Sequence, residues 1–301
     1  MRFLLLLLFA FKAHAACENG ILWVGISDTH YGGTPWTWEQ GTNAYGAISN
    51  EVYFIQTNFN PNFFVNAGDV GENAALQYTT YLTNMAILSV PHYTIAGNHD
   101  PVGGNWSVWT NHFPRRYAWT NGNYIFIGVG SFWTSGTNGT IDTEDLDFME
   151  TVMTNTYPTW TNYIVLSHIS VVTNDTFGSI SPGTGLERLT NLFNYYKVIT
   201  YMHGHQHSVA STPTVIPGTT TFQSFIPSLT RYASGRGAFQ VFTLTNTTLI
   251  SRRYRTDNHA LEGAVPPVTN TVPQYVCEWP PVSAPTPIIR AGKIYVGGFG
   301  P

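Results

Sequence analysis

Six short apolar runs constrain this chain more than any other feature: Ile21–Ser27, Phe63–Asn66, His92–Ala96, Tyr124–Val129, Tyr163–Ser167 and Val198–Met202. Each has the length and apolar content of a buried strand. Amphipathic stretches at Ala44–Asn58, Ala74–Leu88, Thr143–Asn155 and Leu186–Tyr196 separate them and read as helices, with Asp142 and Thr184 near plausible caps for the last two. Strand alternating with helix specifies an α/β fold, in which ligands collect at the carboxyl ends of strands. Beyond His207 the helices stop. Thr219–Ile226, Gly237–Leu244 and Thr248–Arg255 read as strands, the last two joined by a turn, so the domain closes with antiparallel structure.

The strand ends carry the chemistry. Five segments at or just past them hold residues that can bind a metal: Asp28-Thr29-His30, Gly68-Asp69, Gly97-Asn98-His99-Asp100, Ser167-His168 and Gly204-His205-Gln206-His207. Asp28 and His30 are two residues apart, so on an extended strand both side chains face one way and can share an ion; His205 and His207 repeat the spacing. A carboxylate, imidazole and amide donor set suits hard to borderline divalent ions such as Mn, Fe or Zn. Composition supports this use of histidine. Only 10% of residues are charged, and ten histidines nearly match the 13 lysines and arginines, although histidine is rarely needed for solubility.

The first fifteen residues, MRFLLLLLFAFKAHA, join a basic start, an apolar run broken at Lys12 and an A-x-A-like cleavage site. They read as a secretory signal peptide, too short for a membrane span. Without Arg2 and Lys12 the chain keeps 11 basic against 17 acidic side chains. A mildly acidic protein has no general attraction for nucleic acid, so no nucleic-acid-binding surface and no transmembrane segment are expected. In an oxidising compartment Cys17 and Cys277 could pair. Sequons occur at Asn105, Asn138, Asn174 and Asn246; in a chain this rich in Asn and Thr some arise by chance, and they matter only in a glycosylating host. Residues 265–301 are Pro-rich and read as an extended tail wrapped on the domain, or as an arm for self-association. The expected organisation is a signal peptide (1–15), a catalytic domain (16–264) and this tail.

Taken in order, D-x-H, G-D, G-N-H-D, a strand-terminal His and G-H-x-H resemble the calcineurin-like metallophosphoesterase superfamily, over roughly Trp23 to Arg255. The resemblance implies a four-layer α-β-β-α sandwich carrying two divalent or mixed-valence ions (Zn, Fe or Mn) at its strand ends. Carried over position by position, it assigns Asp28, His30 and His207 to one ion, Asn98, His168 and His205 to the other, and Asp69 to both. His99 stands beside the metals as the acid for the leaving oxygen, oriented by Asp100. The implied activity is secreted, metal-dependent hydrolysis of phosphate esters by a metal-bridging hydroxide, as in acid phosphatase and sphingomyelinase-type relatives. The contrasting reading is a catalytically silent binding or structural protein that keeps the fold. Missing ligands would mark it, and here all the ligand positions are filled.

One position departs from a branch of the family. Purple acid phosphatases carry a metal-bound tyrosine three residues after the bridging Asp, where this chain has Glu72. No iron–tyrosinate colour is expected, and Glu72 reads as a solvated loop residue. His203 reads as a core or supporting residue. Arg115 and Arg116 are candidates for gripping a substrate phosphate, because guanidinium matches phosphate oxygens two at a time. Trp36, Trp38, Trp106, Trp109, Trp119 and Trp133 fall in predicted loops, either as packed aromatics or as the wall of a substrate groove.

Overall fold

The computed structural model describes residues 20–31, 44–101, 104–135, 138–156, 162–172, 179–180, 185–207, 214–229, 237–245, 248–256, 259, 261–268, 288–290 and 293–295. The signal peptide, Cys17, Cys277, Trp36, Trp38, Asn174 and Asn246 lie outside these residues. In chain order the elements are β1 (Ile21–Ile26), α1 (Ala44–Phe59), β2 (Phe63–Asn66), α2 (Ala75–Met85), β3 (His92–Thr94), α3 (Ser107–Thr110), β4 (Arg116–Asn121) and β5 (Tyr124–Val129). There follow β6 (Phe132–Ser135), β7 (Asn138–Thr140), α4 (Thr143–Thr151) with a π-helical turn at Val152–Thr156, β8 (Tyr163–Leu166), α5 (Leu186–Tyr196), β9 (Thr200–His203), β10 (Thr214–Val215) and β11 (Phe222–Phe225). The chain ends with β12 (Ala238–Leu244), β13 (Leu249–Arg255), β14 (Leu261–Val268), β15 (Ile288–Arg290) and β16 (Lys293–Tyr295).

Two six-stranded sheets form, in the orders β14-β13-β12-β1-β2-β3 and β10-β11-β9-β8-β5-β4. β1, β2 and β3 run parallel, as do β5, β8, β9 and β11, while β12 to β14 and β4 add antiparallel edges. Period-two alternation sorts the side chains. In β1, Trp23 faces the other sheet, meeting Phe126 edge-on at 5.5 Å, and stacks within its own sheet on Phe63 and Phe242 with centroids 5.6 and 5.1 Å away, while Val24 faces the helices. Phe126, Ile164, Leu166 and Met202 complete the core between the sheets. Ile48, Val52, Ile55, Tyr78, Tyr81 and Met85 of α1 and α2 cover one outer face; Leu146, Met149, Leu189 and Phe193 of α4 and α5 cover the other. The result is the α-β-β-α sandwich in four layers.

Helix ends follow local chemistry. The Asp142 carboxylate accepts the Asp145 amide at 2.9 Å and caps α4, whose first turn holds Glu144 and Asp145 against the helix dipole. At α5 the cap is Gly185, with φ 90°; Thr184 lies outside the described residues. Sequence periodicity missed β4, because its Arg116, Trp119 and Asn121 obscure the apolar alternation. It also read the start of the tail as an extended segment wrapped on the domain or reaching away from it, without assigning it to a sheet. β14 instead extends the first sheet through Pro266 and Pro267 to Val268, as an edge strand where proline's missing N–H is tolerated. Among the described residues no helix is long and apolar enough to cross a membrane.

Candidate metal centre

All parallel strands of both sheets deliver their C-terminal ends to one edge, where the five polar segments meet. The expected alternation is not how they do it. β1 stops at Ile26, and Asp28, His30, Asp69 and His205 all take left-handed backbone, with φ of 51, 44, 51 and 69°. That conformation costs a non-glycine residue about 1 kcal/mol or more. Cross-loop bonds offset it: the amides of Asp28, His30 and Tyr31 donate to the carbonyls of Gly68, Asp69 and Val70 at 2.8, 3.0 and 2.8 Å. Gly97 permits the closest approach, since a Cβ there would lie 2.2 Å from Asp69 Oδ1.

Asp28, His30, Asp69 and His207 form one cluster of donor atoms, and Asp69, His168 and His205 form a second. Spacing alone would have put His205 and His207 on one ion; the loop turns them to different clusters. In the first, His207 Nε2 lies 2.9 Å from Asp28 Oδ1 and 3.4 Å from His30 Nε2. In the second, His168 Nδ1 donates to the Ala67 carbonyl at 2.8 Å, which fixes the tautomer and turns Nε2 toward Asp69 Oδ2, 3.0 Å away. Asn98 sits between Gly97, which packs on Asp69, and His99, whose amide donates to Asp69 Oδ1 at 2.9 Å.

The donor set fits a pair of cations. Both polar atoms of the Asn98 amide are buried without a hydrogen bond, which costs free energy unless something else engages them, and the buried His168 Nε2 lies against the Asp69 carboxylate outside hydrogen-bond geometry. Burial opposes charge on Asp69, yet His168, His99 and His30 hold its carboxyl well below the usual range. Burial likewise depresses His168, but Asp69 and Asp28 push it up to about 9. Buried carboxylates that draw protons onto facing imidazoles attract divalent ions in the same way, and ion binding then displaces those protons.

The surroundings of His99 differ from expectation. Its Nδ1 pairs with Glu72 Oε2 at 2.7 Å, while Glu72 Oε1 takes His30 Nδ1 at 3.0 Å. Glu72 is therefore a half-buried link between a ligand position and the acid position, and its carboxyl falls to about 2 because the two histidines outweigh its burial. Asp100 does not orient the His99 ring. Its carboxylate accepts the amides of Gly97, Gly71 and Val70 at 2.8, 3.1 and 3.2 Å, clamping the Asp69 loop to the Asn98 loop. The clue to Glu72 was its place three residues after Asp69.

Arg115 and Arg116 are not free to grip a phosphate. Both contact Asp145, which is fully buried, and both pair with Asp142 and Glu144; Arg115 also lies over the Trp106 ring at 4.2 Å. They brace β4 against the start of α4. Trp109 and Trp119 are buried packing residues rather than groove walls, and Trp119 belongs to β4, not a loop.

His203 ends β9 in the core, its Nδ1 donating to the Gly204 carbonyl at 2.9 Å. Burial drives its imidazole down to about 3. The folded protein thus binds fewer protons here than the unfolded chain, and the stability of the neutral ring, complete above about pH 6.5, is lost as pH falls toward 3. For His203→Phe, the difference in unfolding free energy from wild type should shift by about 2 kcal/mol in the variant's favour between pH 7 and pH 5. Urea melts at the two pH values measure it; a constant difference would mean that His203 protonates in the folded state.

Comparison with known proteins now decides the family. The calcineurin-like phosphoesterase family matches residues 24–209, more than half of the chain and all the segments just described. The chain is a calcineurin-like phosphoesterase. Solved structures share the fold at low identity. A dimetal phosphatase from Danio rerio aligns with TM-score 0.58 and 11% identity over 78% of this chain and 96% of its own. The purple acid phosphatase PPD1 from yellow lupin (Lupinus luteus) seeds aligns at 0.59 and 15%, over 81% of this chain and 53% of its own. GAP50, the anchor in the inner membrane complex of Plasmodium, aligns at 0.54 and 13%, over 82% and 88%. No curated protein sequence matches this phosphoesterase.

Proposed function

We propose that the protein is a secreted, dinuclear metal-dependent hydrolase of phosphate esters. The observation that carries this reading is the pair of donor clusters sharing Asp69, with the buried His168 Nε2 and Asn98 amide beside them. Asp28, His30 and His207 would hold one ion, Asn98, His168 and His205 the other, and Asp69 both. Two divalent ions bound there supply Lewis acidity toward a phosphoryl group and lower the pKa of water.

The protein's own groups then act on the ester. Glu72 Oε2 fixes the His99 ring through Nδ1, so the proton available to substrate is the one on Nε2. His99 is partly solvent-exposed, as a group that meets substrate must be. As the oxygen of a water that has already lost a proton to solvent bonds to phosphorus and the phosphorus–leaving-group bond breaks, His99 Nε2 would give its proton to the departing oxygen, and Glu72 stabilises the imidazolium beforehand. Burial and Asp69 push the Asp100 carboxyl up to about 7 against the opposing pull of the Gly97, Gly71 and Val70 amides, which it accepts to hold the two loops together.

Metal analysis of the purified protein, combined with p-nitrophenyl phosphate, bis-p-nitrophenyl phosphate and phosphocholine esters, tests the proposal. Two bound ions and turnover of at least one ester are expected. Two ions with no turnover, or no bound metal at all, would favour the silent scaffold over the hydrolase. Because Glu72 stands where a tyrosinate would be, the iron-loaded protein should lack a visible charge-transfer band. Secretion rests on residues 1–15, and N-terminal sequencing of exported protein should begin near Ala16.

A further inference from the structure

The loop that carries His168 is held by side chains where β-sheet bonding runs out. β8 ends at Leu166, and the last ladder-like bonds beside it run from Ser167 N to Met202 O at 3.0 Å and from Gly204 N to His168 O at 3.0 Å. On the β5 side the strand has already ended at Val129, so the next backbone amides have no strand to pair with. The Ser131 hydroxyl takes their place, accepting from His168 N at 3.2 Å and Ile169 N at 2.9 Å. The Tyr201 hydroxyl donates to the Ile169 carbonyl at 2.6 Å. Gln223 closes the loop: Oε1 accepts from Val171 N at 2.7 Å and Val172 N at 2.8 Å, and Nε2 donates to Val172 O at 2.9 Å. Ser131, Tyr201 and Gln223 are all buried.

Gln223 belongs to β11, which is separated from β8 by β9, and it pairs across the ladder with Tyr201. A buried amide in the middle of a strand is costly unless fully bonded, and the three side-chain bonds of this one go to the loop after His168. The ring of His168 is fixed at its other end by Ala67 O, so the loop backbone sets how far Nε2 reaches toward Asp69 Oδ2. We propose that Gln223 and Ser131 are positioning residues for His168, and that they set the affinity of the second ion without altering the first. This rests on the two-ion reading above. The first cluster draws no ligand from this loop: Asp28, His30 and His207 come from the loops after β1 and β9, and the shared Asp69 from the loop after β2.

Equilibrium dialysis against buffered Zn2+ resolves the two binding steps, and His168→Ala identifies which step belongs to the second ion. Gln223→Leu, which keeps bulk but loses the three bonds, should weaken that step about ten- to a hundredfold, the range for outer partners of metal ligands, and leave the other step unchanged. Ser131→Ala should do the same and Ser131→Thr, which retains the hydroxyl, should restore it; this pair serves if Gln223→Leu does not fold. Thr221→Val controls for general loosening, because it deletes a buried bond to Val198 O at 2.8 Å that is unrelated to the loop. Equal weakening of both steps, no weakening, or the same loss in Thr221→Val overturns the assignment. A wild-type protein that binds at most one Zn2+ overturns the two-ion reading itself, and this inference with it.

Discussion

Asp69→Asn is expected to lose bound metal and hydrolysis together. The Asp69 carboxylate is the one group common to both donor clusters, with Oδ2 lying 3.0 Å from His168 Nε2 and 3.8 Å from His30 Nε2. Oδ1 is committed to the His99 amide at 2.9 Å. An asparagine that keeps that bond must point its NH2 group toward His168 and His30. The substitution therefore removes a negative charge and sets a donor where two cations need an acceptor. Affinity should fall by more than about a hundredfold, beyond what changes in outer partners cost. Metal content after dialysis measures it; a variant that keeps two ions would show that Asp69 does not join the sites.

His99→Ala should give the opposite division. The substitution keeps the backbone amide that holds Asp69 and deletes only a ring whose Nδ1 serves Glu72. Metal content should stay near that of wild type while turnover falls about 10²- to 10⁴-fold, the usual contribution of a positioned acid. The loss should be smaller for p-nitrophenyl phosphate than for an alkyl phosphate, because nitrophenolate departs without needing a proton. Equal losses on both esters would remove His99 from the acid role, and metal loss equal to that of Asp69→Asn would remove the distinction between ligand and acid.

Much of the strand framework was legible because buried parallel strands are short apolar runs bounded by turns, and β1, β2, β5 and β8 fall within their expected ranges. The edges were not. β4 is interrupted by polar residues, and β14 carries two prolines in a segment that composition alone describes as tail. The candidate ligands could be listed because D-x-H, G-N-H-D and G-H-x-H keep their order. Their convergence could not be derived from spacing, since it depends on left-handed backbone at Asp28, His30, Asp69 and His205 rather than on strand alternation.

The sequence by itself determined the α/β framework, the positions of the polar strand ends and the ligand types, because each is written in local periodicity and residue chemistry. Only the tertiary structure decided the partners. Glu72 turned from a solvated loop residue into the link between His30 and His99, Asp100 from an orienter of His99 into a clamp on three amides, and Arg115 and Arg116 from phosphate candidates into braces for α4. Apart from the bond between Asp100 and Gly97, these contacts join residues about 27 to 42 apart in the chain. A hydrogen bond is satisfied by whichever group the fold brings within about 3 Å, and no property of either residue alone encodes that choice.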